Sequence, residues 1–270
     1  SYPIDKFRRI DFGLGYYNVV GEYIDFPEIR ETSVILMPSL TYVHDNSIWR
    51  YIFPSNGERY YLSFYTSPKL GTNGIQFLTG IFDYRRYFKL WTDYGLAFRF
   101  TAGGSTGQNR QRFMLGGVDA WINWAIKNDY IPIENTADFF FFEAISGPIV
   151  PLRGYVYNEQ NGSKFALMNL EFRFPLIRYF IGGALPLAFR NIMGVLFLDA
   201  GSAWDSWKTW RAFYQPDPFT GTMTKDLLIG MGYGFRIYMF GLLLRLDIAW
   251  RFNWDSFSKP VYYFSFGPDW

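Results

Sequence analysis

The run Leu242-Leu243-Leu244-Arg245-Leu246-Asp247-Ile248-Ala249-Trp250-Arg251-Phe252-Asn253 alternates without a break. Leu242, Leu244, Leu246, Ile248, Trp250 and Phe252 fall on one side of an extended chain. Leu243, Arg245, Asp247, Ala249, Arg251 and Asn253 fall on the other. A period of two is that of a β-strand, because successive side chains point to opposite faces. The three ionisable residues all share one face. The run is also longer than the usual soluble strand of about five or six residues, and it suits the roughly 9–11 residues that a tilted strand needs to cross hydrocarbon.

The same pattern recurs outward along the chain. Toward the C-terminus, Tyr262, Phe264, Phe266 and Trp270 alternate with Tyr263, Ser265, Gly267 and Asp269. Toward the N-terminus, Ile229, Met231, Tyr233, Phe235 and Ile237 alternate with Gly230, Gly232, Gly234 and Arg236. Ala166, Met168, Leu170, Phe172 and Phe174 alternate with Leu167, Asn169, Glu171 and Arg173. Further strands are expected at Arg9 to Tyr16, Ser33 to Val43, Arg59 to Tyr65, Ile75 to Tyr87, Tyr94 to Thr101 and Asn191 to Trp204. About ten strands result. Pro54-Ser55-Asn56-Gly57 reads as a turn. The intervals 21–32, 68–74, 103–164, 204–224 and 253–260 are expected as the longer connections, alternating with shorter ones. Ile177 to Arg190 is the exception, a long interval on the short-turn side. No domain boundary or repeat is visible, so 1–270 is read as one all-β domain.

Such alternation serves a soluble sandwich as well as a membrane barrel, since only the direction of the faces differs. Two features favour apolar residues turned toward lipid. The apolar faces are unbroken and end in Tyr16, Tyr42, Tyr60, Trp250 and Trp270, the aromatic residues that gather at membrane interfaces. The opposite faces carry isolated arginines and glycines, not the Lys/Glu mixture of a solvated surface. Aromatics make up 22% of the 270 residues, and interfacial girdles account for that excess.

Composition excludes several classes. The net charge of +2 gives no nucleic-acid footprint. The absence of cysteine removes disulfides and thiolate metal sites, and the single histidine, His44, leaves no His cluster. No run of 18 or more apolar residues occurs, so a transmembrane helix is not expected. Ser1-Tyr2-Pro3 has no signal-peptide pattern; the sequence is expected to be a processed chain or part of a longer one.

The interval 103–164 interrupts the succession of strands. It carries Trp121, Trp124, Phe139, Phe140, Phe141 and Phe142, too much apolar surface to remain solvated. It is therefore expected to fold into the barrel interior, with Gly230, Gly232 and Gly234 making room for it.

Within it, Arg153-Gly154-Tyr155, preceded by Phe113 to Gly117, resembles the lumen-loop motif of BamA-type outer-membrane barrels, the bacterial surface antigen superfamily of polypeptide insertases and translocators. Asn169-Leu170-Glu171-Phe172-Arg173-Phe174-Pro175 is similar to the strand after that loop. Phe197-Leu198-Asp199-Ala200-Gly201 is similar to the next strand, and Phe264-Ser265-Phe266-Gly267-Pro268-Asp269-Trp270 to the aromatic C-terminal assembly signal carried by Phe264, Phe266 and Trp270. Pro54 to Gly57 matches a turn before the family's ninth strand.

The resemblance implies a transmembrane antiparallel β-barrel in the outer membrane of a Gram-negative-type bacterium, its C-terminus periplasmic. Arg153 would dock against Glu171 and Asp199; Gly154 would permit the turn, and Tyr155 would pack beside the arginine. The family template has sixteen strands, and this chain aligns with about the last ten, with Val118 to Val150 an insertion. The chain is thus expected to be a fragment, a subunit completed by another chain, or a reduced barrel. The implied partners are outer-membrane lipid and either unfolded polypeptides or a partner subunit. No enzymatic activity, cofactor, metal or nucleic acid is expected.

Three functions follow: a barrel assisting polypeptide insertion or translocation, a plugged structural or anchoring barrel within a larger complex, and a passive pore, disfavoured by a filled lumen. Other readings of single motifs are weaker. Glu171 and Asp199 could form a glycosidase acid pair, but no sugar site frames them. Gly103-Gly104-Ser105-Thr106-Gly107 lacks the ending of a phosphate loop and reads as the start of the long connection. His44, beside Asp45, reads as a surface turn residue.

Overall fold

The computed structural model describes residues 1–22, 30–50, 52–70, 74–123, 125, 150–181, 188–213, 215–216, 223–239, 241–267 and 270. The regular structure among these residues is all β. In chain order the strands are β1 (Tyr2–Pro3), β2 (Arg8–Glu22), β3 (Arg30–Asp45), β4 (Ile48–Arg50), β5 (Phe53–Ser67), β6 (Phe77–Lys89), β7 (Gly95–Thr106) and β8 (Phe113–Leu115). There follow β9 (Gln160–Gly162), β10 (Lys164–Ile181), β11 (Ala188–Trp204), β12 (Gln215–Pro216), β13 (Met223–Thr224), β14 (Leu228–Met239), β15 (Leu242–Arg251) and β16 (Val261–Phe266).

One antiparallel sheet runs β1-β2-β3-β5-β6-β7-β10-β11-β14-β15-β16, with β4 paired to β5 off this path. Every step between its long strands is between neighbours in sequence once β4 and the pairs β8–β9 and β12–β13 within the connections are set aside. Among the described residues no strand pairing joins β16 to β2, so the sheet has two edges. β10 has 18 residues and β11 has 17, enough to cross a bilayer core at a tilt and project beyond it.

The faces are inverted relative to a soluble protein. Outward on β2 stand Phe12, Leu14 and Tyr16, between 65% and 73% exposed. Leu40, Leu62, Phe64, Phe82, Met168, Leu170, Leu196, Leu198 and Leu246 are exposed on successive strands. The inward face buries Thr79, Asp83, Thr101, Asn169, Glu171, Arg173, Asp199, Arg236 and Asp247. In water this arrangement would forgo the favourable burial of apolar area and desolvate charges; in hydrocarbon it is the stable one. Two aromatic groups mark the ends of the apolar band. The rings of Tyr42, Tyr60 and Tyr84 follow one another at 6.1 and 6.4 Å near the short turns. Tyr233 and Trp250 meet at 5.8 Å near the long loops.

The core lies inside the curve of the sheet and is built largely by the long connection. Phe113, Leu115, Val150, Leu152 and Tyr155 of that connection pack with Ile81, Phe165, Leu167 and Ala203 of the strands. Val118 and Trp121 pack with Val195, Phe197, Ala249 and Tyr263. Full burial of each large apolar side chain contributes about 1.5–3 kcal/mol. Trp124 and Phe139 to Phe142 lie outside the described residues, as does most of the insertion ahead of Arg153.

Four local expectations are corrected. Pro54, Ser55 and Asn56 do not form a turn; they lie within β5, and Pro54 and Asn56 pair with β4. Gly57, whose φ of +98° suits glycine, is also part of β5 and pairs with Tyr87. Gly103 to Thr106 belong to β7 and not to the loop, with Gly103 paired to Ile81 and Phe165. A Cβ there would stand 2.6 Å from the Phe165 ring, so the glycine admits that ring. The described residues of the interval Ile177 to Arg190 are strand: β10 and β11 remain paired out to Ile181 and Ala188, past a bulge between Pro175 and Ile177. His44 is not a turn residue but sits in β3, its ring stacked on Tyr60 at 4.8 Å.

Candidate functional site

The long connection enters the interior as two antiparallel limbs. Phe113 to Leu115 (β8) pair with Gln160 to Gly162 (β9). Gly116 N–H donates to the Val150 carbonyl at 3.0 Å, and Gly117 N–H to the Tyr155 carbonyl at 3.0 Å. These bonds fix the segment that carries Arg153-Gly154-Tyr155 at the tip.

Arg153 meets two acids. Its Nε and Nη2 donate to the two oxygens of Asp199 at 2.6 and 2.8 Å, and its backbone N–H donates to Asp199 at 3.2 Å. Its Nη1 donates to Glu171 at 2.7 Å. The guanidinium carbon lies 3.7 Å from the centre of the Phe197 ring. A planar fork of donors suits this arrangement: one edge is bidentate on Asp199 and the remaining nitrogen reaches Glu171. β10 and β11 pair Asn169 with Asp199 and Glu171 with Phe197, which sets both acids and the supporting ring on one inward patch.

The acids have further partners. Asn169 Nδ2 donates to Asp199 at 2.8 Å. Arg173 Nε and Nη2 donate to Glu171 at 2.9 and 2.7 Å. Nearby, Arg236 pairs with Asp247 at 2.8 Å. Arg153, Arg173 and Arg236 thus each meet a carboxylate in a buried patch, where an unpaired charge would be costly. Both Glu171 and Asp199 are committed to guanidiniums, the pattern of a structural ion network and not of a general acid/base pair.

Gly154 has a φ of +96°, which an L side chain rarely adopts. Its N–H donates to the Tyr263 hydroxyl at 2.7 Å, and that hydroxyl donates to the Tyr155 carbonyl at 2.8 Å. The Gly154 carbonyl accepts from Arg251 Nε at 2.9 Å. Tyr155 is buried, donates through its hydroxyl to the Ile229 carbonyl at 3.1 Å, and lies under the Arg251 guanidinium. The tip is therefore held by β10, β11, β14, β15 and β16.

Of the three glycines on β14, only Gly230 makes room for the loop. A Cβ on it would stand 1.8 Å from the Arg153 carbonyl oxygen. Gly232 instead admits the Ile248 carbonyl of β15 and the Phe197 ring, and Gly234 the Asp247 carboxylate.

The C-terminal residues divide. Phe264 and Phe266 follow the outward alternation of β16, while Tyr263 and Ser265 are buried inward. Trp270 does not continue the outward row. The chain leaves the strand at Gly267, with φ +106°, and the Trp270 carbonyl accepts from Arg173 at 2.9 Å. The ring lies 5.4 Å from the Arg173 guanidinium, so Trp270 joins the inner network and not the outer girdle. Pro268 and Asp269 lie outside the described residues.

Sequence reasoning did not single out Arg173, Tyr263 or Arg251. Alternation places Arg173 and Tyr263 inward, but nothing in the residue types marks them as partners of the loop.

Comparison with known proteins bears on this arrangement. A family model described as the Omp85 superfamily domain matches residues 36–270. The structure is similar to that of BamA from Haemophilus ducreyi lacking POTRA domains 1–3, with a TM-score of 0.59 and 17% identity. The match covers 98% of this chain and 52% of that one, so the chain spans about half the length of the BamA structure. No curated protein matches. With the family model covering most of its length, the chain belongs to the Omp85 superfamily of outer-membrane β-barrels.

Proposed function

We propose that this barrel assists the insertion or passage of polypeptides at the outer membrane. Arg153, Gly154 and Tyr155 are the lumen-loop motif, and Glu171 and Asp199 are its docking carboxylates. The long loops face outward, the C-terminus lies on the periplasmic side, and Phe264, Phe266 and Trp270 serve in assembly. The supporting observation is an asymmetry of restraint. The buried Arg153 tip braces the neighbouring strands β10, β11, β14, β15 and β16 of the sheet, whereas among the described residues β16 and β2 are not paired with each other. Unpaired strand edges template incoming strands, and a rigid flank holds such an edge in register. Depletion of the protein tests this reading: levels of other outer-membrane proteins or secreted substrates should fall.

A second reading, a plugged barrel that anchors a partner complex, is favoured by the close packing of the long connection around Arg153. The cavity beside Arg153, Glu171, Arg236 and Asp247 holds about 30 Å³, room for about one water. Unchanged levels of other outer-membrane proteins after depletion support this reading. Large steady conductance in planar bilayers would speak for a passive pore against both.

A further inference from the structure

We propose that Trp121-Ile122-Asn123 is a built-in occupant of the β16 edge, a surrogate strand that must leave before an extended polypeptide segment can add there. The inference deepens the proposed function and rests on it for its biological meaning.

Odd-numbered residues of β16 bond to β15, as Gly267 N–H does to the Leu243 carbonyl just beyond the strand. The even-numbered residues therefore turn their backbone groups to the open edge. The long connection takes up most of those groups. Ile122 N–H donates to the Phe264 carbonyl at 2.8 Å, and Trp121 pairs antiparallel with Ser265. Phe264 N–H donates to Asn123 Oδ1 at 3.0 Å, and Asn123 Nδ2 donates to the Tyr262 carbonyl at 3.0 Å. Arg245 Nη2 bridges the Phe266 carbonyl and the Asp119 carbonyl, at 3.1 and 2.6 Å.

The segment also copies the alternation of a membrane strand. Trp121 is buried against Tyr157 and Tyr263, while Ile122 is 45% exposed on the outer side. A left-handed residue, Ala120 with φ +53°, turns the chain into this position; such a conformation persists only where the surroundings hold it. Yet the pairing is only three residues long and uses a side chain in place of backbone at Asn123. It satisfies the edge, which would otherwise invite another strand, with few bonds to break. The partner that fits is an extended segment of polypeptide, apolar on its outward positions and contributing backbone bonds to Tyr262, Phe264 and Phe266.

The test uses the full chain in lipid vesicles, with Phe264 replaced by the photo-crosslinker p-benzoylphenylalanine. The probe is a biotinylated peptide, Asp-Ala-Trp-Ile-Asn-Trp-Ala, the sequence of residues 119–125. In the otherwise unchanged protein the crosslink should map to residues 121–123, with little peptide captured. The double substitution Ile122→Pro and Asn123→Ala removes three of the bonds, and capture should rise about tenfold. Asn123→Ala alone, which disturbs the loop least, should give a smaller rise in the same direction. Internal crosslinks mapping elsewhere, equal capture by all three proteins, or a crosslink passing to β2 in the double variant would each overturn the proposal. Because nothing is transported in this assay, it answers even if depletion shows that the barrel handles no substrate.

Discussion

Gly230 lies directly against the Arg153 carbonyl: a Cβ on the glycine would stand 1.8 Å from that oxygen. The contact is with backbone, so no side chain can swing aside. Gly230→Ala should lift the loop tip, at a cost of about 1–3 kcal/mol. The readout is the temperature at which the folded band is lost in a gel-mobility assay. Gly104→Ala is the control, since its nearest neighbour would be a lysine carbon at 3.6 Å; it should behave as the parent protein does.

Tyr263 joins the last strand to the loop through one oxygen, which accepts from Gly154 N–H and donates to the Tyr155 carbonyl. Tyr263→Phe keeps the ring against Trp121 but takes the hydroxyl from the buried Gly154 N–H and leaves the Tyr155 carbonyl with the Gly117 N–H alone. The expected loss is about 1–3 kcal/mol, seen as a lower unfolding midpoint and faster proteolysis within 107–163. An unchanged midpoint would mean that water replaces the hydroxyl.

Trp270 supplies a carbonyl and a ring to Arg173. Trp270→Ala keeps the carbonyl and removes the ring, so a loss of about 0.5–2 kcal/mol is expected, with Trp270→Phe intermediate. If the ring acted only as an outer girdle residue, its removal would leave the inner network and the midpoint unchanged.

At the mouth of the loop, burial opposes ionisation of Asp205, but the Ser163 N–H and the Arg112 guanidinium hold its carboxyl below the usual value. A lowered folded-state value means that the contribution is present above the ordinary aspartate range, about 3.9, and is lost as pH falls through the lower folded value. Asp205→Asn should therefore be less stable than the parent at neutral pH, and the two should converge in strong acid. Asp205 is partly exposed, so the difference should be modest and shrink with salt.

The strands and their inverted faces were legible because lipid and lumen impose opposite polarity on alternate residues, and this survives in the sequence as a period of two. Strand ends were less so. Arg30 to Thr32, Leu176 to Ile181 and Ala188 to Arg190 lie in strands that extend beyond the apolar band, where alternation is no longer required. The convergence of Arg153, Glu171 and Asp199 was legible from family-like motifs and from which face each acid occupies. The roles of Tyr263 and Arg251, the inward turn of Trp270 and the pairing of residues 121–123 with β16 were not. Each depends on how a loop returns to distant strands, and a hydroxyl or an asparagine carries no sign of its partner.

The claim on which the rest depends is that Arg153 is held inside the barrel by Asp199 and Glu171. A double-mutant cycle of Arg153→Ala and Asp199→Asn, read as unfolding midpoints in lipid vesicles, tests it most directly. Arg153→Ala alone should cost about 3–5 kcal/mol, because it strands buried acids. Asp199→Asn should then cost far less in the Arg153→Ala background than in the parent, a coupling of at least about 1 kcal/mol. Strictly additive effects would show that the two groups do not meet in the folded barrel and would contradict the account.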